Sequence, residues 1–473
     1  MIPLWLLGCD VPTDTLLIPD DSAVPRDTAA EDTPELECTG DVAAEVSATG
    51  VATAPRLTWT TAEATLSWAA FTNGDGLTRT TRADLVDTMH SNVLLGILPD
   101  AAWTYQIMVD DGGGARCVGQ GSGLNGPMPA GVPEVTATST PGRASGLTLA
   151  PVFQLGAGSV TWLAIFDEEG RIVWAAEAIP DFGEPSLALG AAFAKDGQGV
   201  LFSAQAGSED SDGSINRLGF DGTFGVVATI PGLHTDFVQM ADGKLAALTW
   251  EVRTVNGDDL LGDHVVIVEP NGTLTDIWNS FDAMPYIPSD AFLPGFYGPD
   301  PEVLDWSHVN SISWNEASND LFVTGTGYGA VARIDASTGE MRWLYGEGIG
   351  DFPATPGFSV APHSAELLAD GSVLLFNRGD YVSDPVNTCS WAAELIVDEA
   401  AHTIAEARRW EGDTCLLTTL LGSARRLPGD VTLVDWTSAG RMDQFAADGT
   451  SVWSASLLAG HSFGYADFLA SEP

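Results

Sequence analysis

The stretch FVQMADGKLAALTW (237–250) sets two short apolar runs on either side of Asp242-Gly243, and VVIVEPNGTLTDIW (265–278) repeats the form around Asn271-Gly272. Asp-Gly and Asn-Gly between apolar, β-rich flanks signal tight hairpins. Read together, the two hairpins make one four-stranded unit. The second hairpin recurs as WLAIFDEEGRIVW (162–174), INRLGFDGTFGVV (215–227), AVARIDASTGEMRW (330–343), AELIVDEAAHTIAEARRW (393–410) and MDQFAADGTSVW (442–453). The first recurs as FAKDGQGVLFSA (193–204), SISWNEASNDLFVTG (311–325), AELLADGSVLLFN (365–377) and ARRLPGDVTLVDW (424–436). Self-similarity at this period marks a blade array. Six units of about four strands describe an all-β protein, with a six-bladed β-propeller over 135–473. The missing inner hairpin is expected to form by joining YADFL (465–469) to the strand near Leu147–Phe153, which would close the ring.

The composition agrees with an all-β chain and excludes several functions. Among 473 residues there are 52 Gly, 27 Pro and 15 Trp, and few stretches hold a helical apolar period. Lys plus Arg number 19 against 65 Asp plus Glu, a formal net charge of −46, and Lys195 and Lys244 are the only lysines. Such a surface repels phosphate backbones and anionic lipid, so no nucleic-acid partner and no electrostatic membrane docking are expected. With 45% hydrophobic residues the chain still folds around a core and is no acidic disordered polymer. No apolar run is long enough for a spanning helix.

Ahead of the repeats lie three shorter regions. Leu6-Leu7-Gly8-Cys9 resembles a bacterial lipobox, which makes residues 1–9 the remnant of a lipoprotein signal and Cys9 the lipidation site. Only eight residues precede Cys9 and none is Lys or Arg, whereas a complete signal has a charged start and a longer apolar core. Residues 10–37, rich in Asp, Thr and Pro, read as a disordered acidic tether. Residues 38–125 alternate like strands, and SNVLLGILPDAAWTYQIMV within them resembles an immunoglobulin or fibronectin-III β-sandwich. GSGLNGPMPAGVPE (121–134) is a linker. Cys38 with Cys117 and Cys389 with Cys415 form two local pairs; disulfides within each domain fit an exported protein, and buried free thiols are the other reading. The expected location is the periplasm or cell surface of a bacterium, with the membrane reached only through the lipid anchor.

First strands of propeller blades line the central channel, so residues at the head of the inner hairpins converge. Aligned on their turns, His234, His308 and His363 fall at the same place in three consecutive units, and Ser423 holds that place in the next. There are only seven histidines in all. Gly460-His461-Ser462-Phe463-Gly464 fits G-x-S-x-G but has neither a following helix nor a downstream histidine. Gly325-Thr326-Gly327-Tyr328-Gly329 lies between strands and has no helix to present a phosphate. The loop Glu209-Asp210-Ser211-Asp212-Gly213 is acidic enough for a structural Ca²⁺ but lacks the spacing of a recognised loop, and reads first as a solvated turn.

HTDFVQMADGKLAALTW (234–250), DWSHVNSISW (305–314), DASTGEMRW (335–343) followed by GEG, HSAELLADGSVLLFNRGD (363–380), GSARRLPGDVTLVDW (422–436) and ADGTSVW (447–453) resemble the bacterial arylsulfotransferase family. The resemblance implies a six-bladed propeller behind an N-terminal β-domain, and an aryl-sulfate sulfotransferase that needs no nucleotide donor and no cofactor. It implies that His363 takes up the sulfuryl group, that His308 and Asn310 contact the sulfate, and that His234 is the remaining channel histidine. The implied partners are a small phenolic sulfate donor and a phenol acceptor, with a homodimer as the one protein assembly considered. One departure stands out: the family has an arginine where this chain has Thr326, and Arg378 is the candidate replacement cation.

The chemistry suits these residues. Sulfuryl transfer, like phosphoryl transfer, has a loose transition state with charge on equatorial oxygens, and needs an in-line nucleophile and aimed donors. Neutral imidazole is a competent nucleophile, and a second imidazole can protonate the leaving phenolate. Loss of one donor costs about 10²–10³ in rate, so Thr326 puts the activity in doubt and is compatible with an enzyme that is slow rather than dead. Two other readings compete: a non-catalytic, surface-tethered propeller that binds or scaffolds, and a zinc site built from the three imidazoles.

Overall fold

The computed structural model describes residues 38–471, except 82–85, 155–159, 180–186, 286–292, 295–302, 347–348, 353–360 and 380–387. Cys9, the signal remnant and the 10–37 tether lie outside the described residues. The chain is almost entirely β-structure. Its one α-helix among the described residues is the single turn Ser280–Ala283, and no described helix is long and apolar enough to cross a membrane.

Residues 44–124 build one sheet around an 18-residue strand, Arg56–Asn73. The first half of that strand pairs with Ala44–Ser47 and Asp87–Val93, and the second half with Thr78–Thr80 and Ala102–Asp110. The changeover between Thr60 and Thr65 lets one strand serve two layers. Leu57, Trp59, Phe71, Trp103 and Ile107 alternate inward to form the core between them, as a period of two demands. A disulfide joins Cys38 to Cys117 on the last strand.

Six further sheets follow, each built on four antiparallel strands. The second comprises Ala191–Phe193, Gly199–Ala204, Asp212–Gly219 and Phe224–Pro231, and the third to fifth repeat this order from Leu233, Val309 and Pro362. Hairpin turns use left-handed glycine, as Gly222, Gly272 and Gly449 show with φ of 86°, 83° and 84°. Outer strands bury one tryptophan each: Trp174, Trp278, Trp343, Trp410 and Trp453 are all at most 5% exposed. The second sheet lacks that residue and leaves Val226 and Val227 of its outer strand exposed. A second disulfide, Cys389–Cys415, ties together the fifth-sheet loops, so both local cysteine pairs are bonded.

Closure uses both chain ends. Val135–Ser139 adds to the outer strand Ser451–Leu457 of the sixth sheet, while His461–Phe463 and Asp467–Ala470 pair with Gly146–Gln154 of the first. Segment 465–469 therefore meets Leu147–Phe153 as the sequence led one to expect. Ser462 sits mid-strand and buried, which removes the G-x-S-x-G match from consideration. Thr326–Gly329 is the turn between the strands Asp320–Gly325 and Ala330–Asp335 of the fourth sheet.

Candidate functional site

The histidines owe their positions to irregular strand entries. At each entry one residue takes the left-handed region without being glycine: Thr235 (φ 48°), His308 (45°), Ala361 (49°) and Leu421 (58°). Such residues cost of order 1 kcal/mol each and gather at functional sites. A β-bulge follows in the third, fourth and fifth sheets, between His234 and Phe237, Val309 and Ser311, and Pro362 and Ser364.

These irregularities correct the turn-based alignment. The first paired residues of the four inner strands are Leu233, Val309, Pro362 and Ser423. His234 and His363 come one residue after that point and His308 one before it, with Asn310 in the later position. The three imidazoles are thus not strictly equivalent, yet they converge. His234, His308, Asn310 and His363 line one cavity of about 10 Å³ together with Trp250, Asp263 and Asp305. Ser423 lines a wider cavity instead, together with Tyr465.

Each histidine is held differently. His234 lies flat on Trp250, centroids 4.9 Å apart and planes 5° from parallel. Its Nδ1 is 3.0 Å from Thr235 Oγ1, and its Nε2 is 3.0 Å from Asp263 Oδ1. Asp263 also accepts from Ser307 Oγ and, at 2.8 Å, from the Val309 N–H, so it locks the third sheet to the entry of the fourth. His308 Nδ1 pairs with Asp305 Oδ2, three residues back. Tyr465 Oη lies 2.7 Å from His363 Nδ1. Burial is the main cause that holds the His363 pKa well below the usual imidazole range, followed by the charges of Arg378 and His308. His363 is therefore neutral at pH 7.

A second layer surrounds Asn310. Its Nδ2 donates to Thr326 Oγ1 and its Oδ1 accepts from Thr324 Oγ1 at 2.7 Å. Thr326 donates to the Pro362 carbonyl at 3.0 Å and accepts from Arg378 Nη2 at 3.1 Å. Arg378, fully buried, also donates to the Thr419 carbonyl at 3.1 Å. The arginine is thus coupled through Thr326 to Asn310. Among the described residues no three His, Cys, Asp or Glu side chains converge as metal ligands would.

Sequence reasoning missed Asp263, Asp305 and Tyr465. Asp305, three residues before His308, was readable as an imidazole partner in DWSH. Nothing local marks Asp263 or Tyr465, which come from another hairpin and from the closing segment.

The wide cavity, about 880 Å³, is lined by inner-strand residues and by Thr78–Thr81 and Asn92–Val93 of the N-terminal sheet. Here Asp236 accepts from the Ile312 N–H at 3.0 Å, Glu366 from the Arg426 N–H at 2.9 Å and Asp467 from the Phe193 N–H at 2.8 Å. Arg425 Nη1 lies 3.0 Å from Asp467. Burial raises the Asp236 pKa to about 7 and also pushes Glu366 up.

Comparison with known proteins bears on both fold and site. The sequence model of the family described as Arylsulfotransferase (ASST) matches residues 152–435, which contain every channel histidine. No curated protein matches the chain. Among solved structures, a protein of unknown function from Bacteroides caccae is 14% identical, covering 68% of this chain and 99% of its own, with a TM-score of 0.42. A streptogramin B lyase is 13% identical over 69% of this chain and 87% of its own, TM-score 0.37. The calcium-binding protein regucalcin from Agrobacterium tumefaciens is 13% identical over 72% of this chain and 98% of its own, TM-score 0.36.

Proposed function

The chain belongs to the arylsulfotransferase family, and from that premise we propose that it moves a sulfuryl group from a phenolic sulfate ester to a phenol through a sulfohistidine at His363. In this proposal the six sheets are the blades of a propeller over 135–473, residues 38–125 are an immunoglobulin- or fibronectin-III-like domain, and the protein is an exported lipoprotein anchored at Cys9. Two disulfides fit an oxidising compartment.

The observation that carries the proposal is a fully buried, neutral imidazole sharing one cavity with two others and with Asn310. A His363 ring nitrogen attacks sulfur as the S–O bond to the donor phenol breaks. His308, oriented by Asp305, gives the leaving phenolate its proton. In the return half the acceptor phenol loses its proton to His308 and attacks sulfur, and the N–S bond breaks. Asn310 donates to the sulfate oxygens, while Arg378, acting through Thr326, supplies the positive potential that brings an anion into a −46 protein. The cavity has room for about one water, so the lining side chains must part to admit sulfate. His234 is held by Asp263 as a wall of the site.

Purified protein given a chromogenic aryl sulfate, with and without a phenol acceptor, tests the proposal. Acceptor-stimulated phenol release that His363→Ala abolishes is expected. No release by the wild type would leave the non-catalytic scaffold, which Thr326 in the arginine's place favours.

A further inference from the structure

Tyr465 is delivered to the centre by the last closing segment of the chain, between the two C-terminal strands on Gly146–Gln154. Its N–H bonds the Leu189 carbonyl at 2.9 Å, and the preceding Gly464 N–H bonds the Pro151 carbonyl at 2.8 Å. A Cβ on Gly464 would lie 2.4 Å from the Leu189 carbonyl oxygen, so no side chain fits there. The phenol that results is 7% exposed and 102 residues away from His363 in sequence; it lines the wide cavity, and its hydroxyl reaches His363, which lines the narrow one.

Its hydroxyl has one proton to donate and can accept as well. The Asn310 main-chain carbonyl, 2.5 Å away, can only accept; the His363 carbonyl is farther, at 3.5 Å. The hydroxyl proton therefore goes to Asn310, and toward His363 Nδ1, at 2.7 Å, the oxygen is an acceptor. We propose that Tyr465 is a positioning residue that fixes the tautomer of His363: the imidazole carries its proton on Nδ1, and the Nε2 lone pair is the one that attacks sulfur.

The inference rests on the sulfohistidine reading only for its catalytic consequence. During attack Nε2 bonds to sulfur as the phenolate leaves, and the ring becomes cationic with its Nδ1–H still on Tyr465 Oη. A hydroxyl held by Asn310 stabilises that charge without moving a proton. The Asn310 side chain faces the Thr324–Thr326 pair while its carbonyl holds Tyr465, so one residue of the fourth sheet serves both layers.

The test combines histidine ¹⁵N NMR with kinetics on the full-length protein. His363→Gln identifies the His363 resonances by their loss. The wild type at pH 7 is expected to show the proton on Nδ1, and Tyr465→Phe, which keeps the ring, is expected to shift the population toward Nε2–H. In the same variant kcat for aryl-sulfate turnover should fall about 10–100-fold, the usual cost of losing a ligand-orienting partner, with KM little changed. A wild-type His363 protonated on Nε2, or a tautomer ratio untouched by Tyr465→Phe, would overturn the inference, whatever the variant's stability. If the wild type shows the Nδ1 proton and the variant shifts it, but no aryl sulfate turns over, the tautomer assignment stands and the sulfotransferase reading is what fails.

Discussion

Two compartments lie along the same inner strands, and they differ in almost every property. The narrow one holds about 10 Å³ and gathers three imidazoles and Asn310 at the strand entries. The wide one holds about 880 Å³ and gathers Asp236, Glu366, Asp467 and Arg425 further along those strands. Size alone would select the wide compartment as the site. Its carboxylates, however, are occupied with backbone N–H groups of neighbouring sheets, so they stitch the ring together. The narrow compartment instead holds left-handed residues and bulges, which are costly and serve to aim side chains. The comparison teaches that a few residues' difference in position along an inner strand separates a structural belt from the compartment where the chemistry is proposed.

The largest effect that could break this contrast is on turnover itself. His363→Ala is expected to lower aryl-sulfate turnover by about 10³-fold or more, since removing a nucleophile disables the residues acting with it; initial-rate assays measure this. Retained activity would move the chemistry away from the narrow compartment. Next comes a matched pair of arginines. Arg378→Ala should cost about 10²–10³ in kcat, whereas Arg425→Ala should leave the rate alone and lower the melting temperature, because Arg425 offsets the belt's carboxylates. Equal effects on rate would erase the distinction.

A smaller effect concerns pH. His363 must be neutral to attack, and burial keeps it neutral well below the ordinary imidazole range. The acid limb assigned to it in a pH–kcat profile should therefore fall below pH ~6.5, the ordinary histidine value. Arg378→Ala, by removing a charge that holds that pKa down, should move the limb upward. The smallest effect is in the belt. Asp236 titrates at about 7 when folded and near ~3.9 when unfolded, so the folded protein keeps a proton that the unfolded chain has lost. Its contribution is complete below the unfolded value and is lost as pH rises toward 7. In thermal melts from pH 4 to 7, Asp236→Asn should gain on the wild type as pH rises, by about 1 °C per kcal/mol for a chain of this length.

Much of the architecture was legible because it is local. Strand periods, Asp-Gly and Asn-Gly turns and the tryptophan ending an outer strand are properties of short segments, and the described sheets follow the quoted hairpins closely. His234, His308 and His363 were legible as a group for the same reason. Their relative offset was not, because a bulge and a left-handed residue are set by what the strand packs against. Ser423 shows this best: it heads its strand like the others, but its hairpin has no bulge, and the side chain lines the wide compartment.

The sequence by itself determined the repeat, the all-β class, the two local cysteine pairs and which histidines to watch, since these depend on neighbours a few residues apart or on composition. Only the tertiary structure decided that Asp263 would hold His234, that Arg378 would reach Thr326, and that Tyr465 would arrive at His363 from the far end of the chain. Those contacts exist because the C-terminal segment pairs with Gly146–Gln154 and closes the ring, and a contact spanning 102 residues leaves no mark in either local segment.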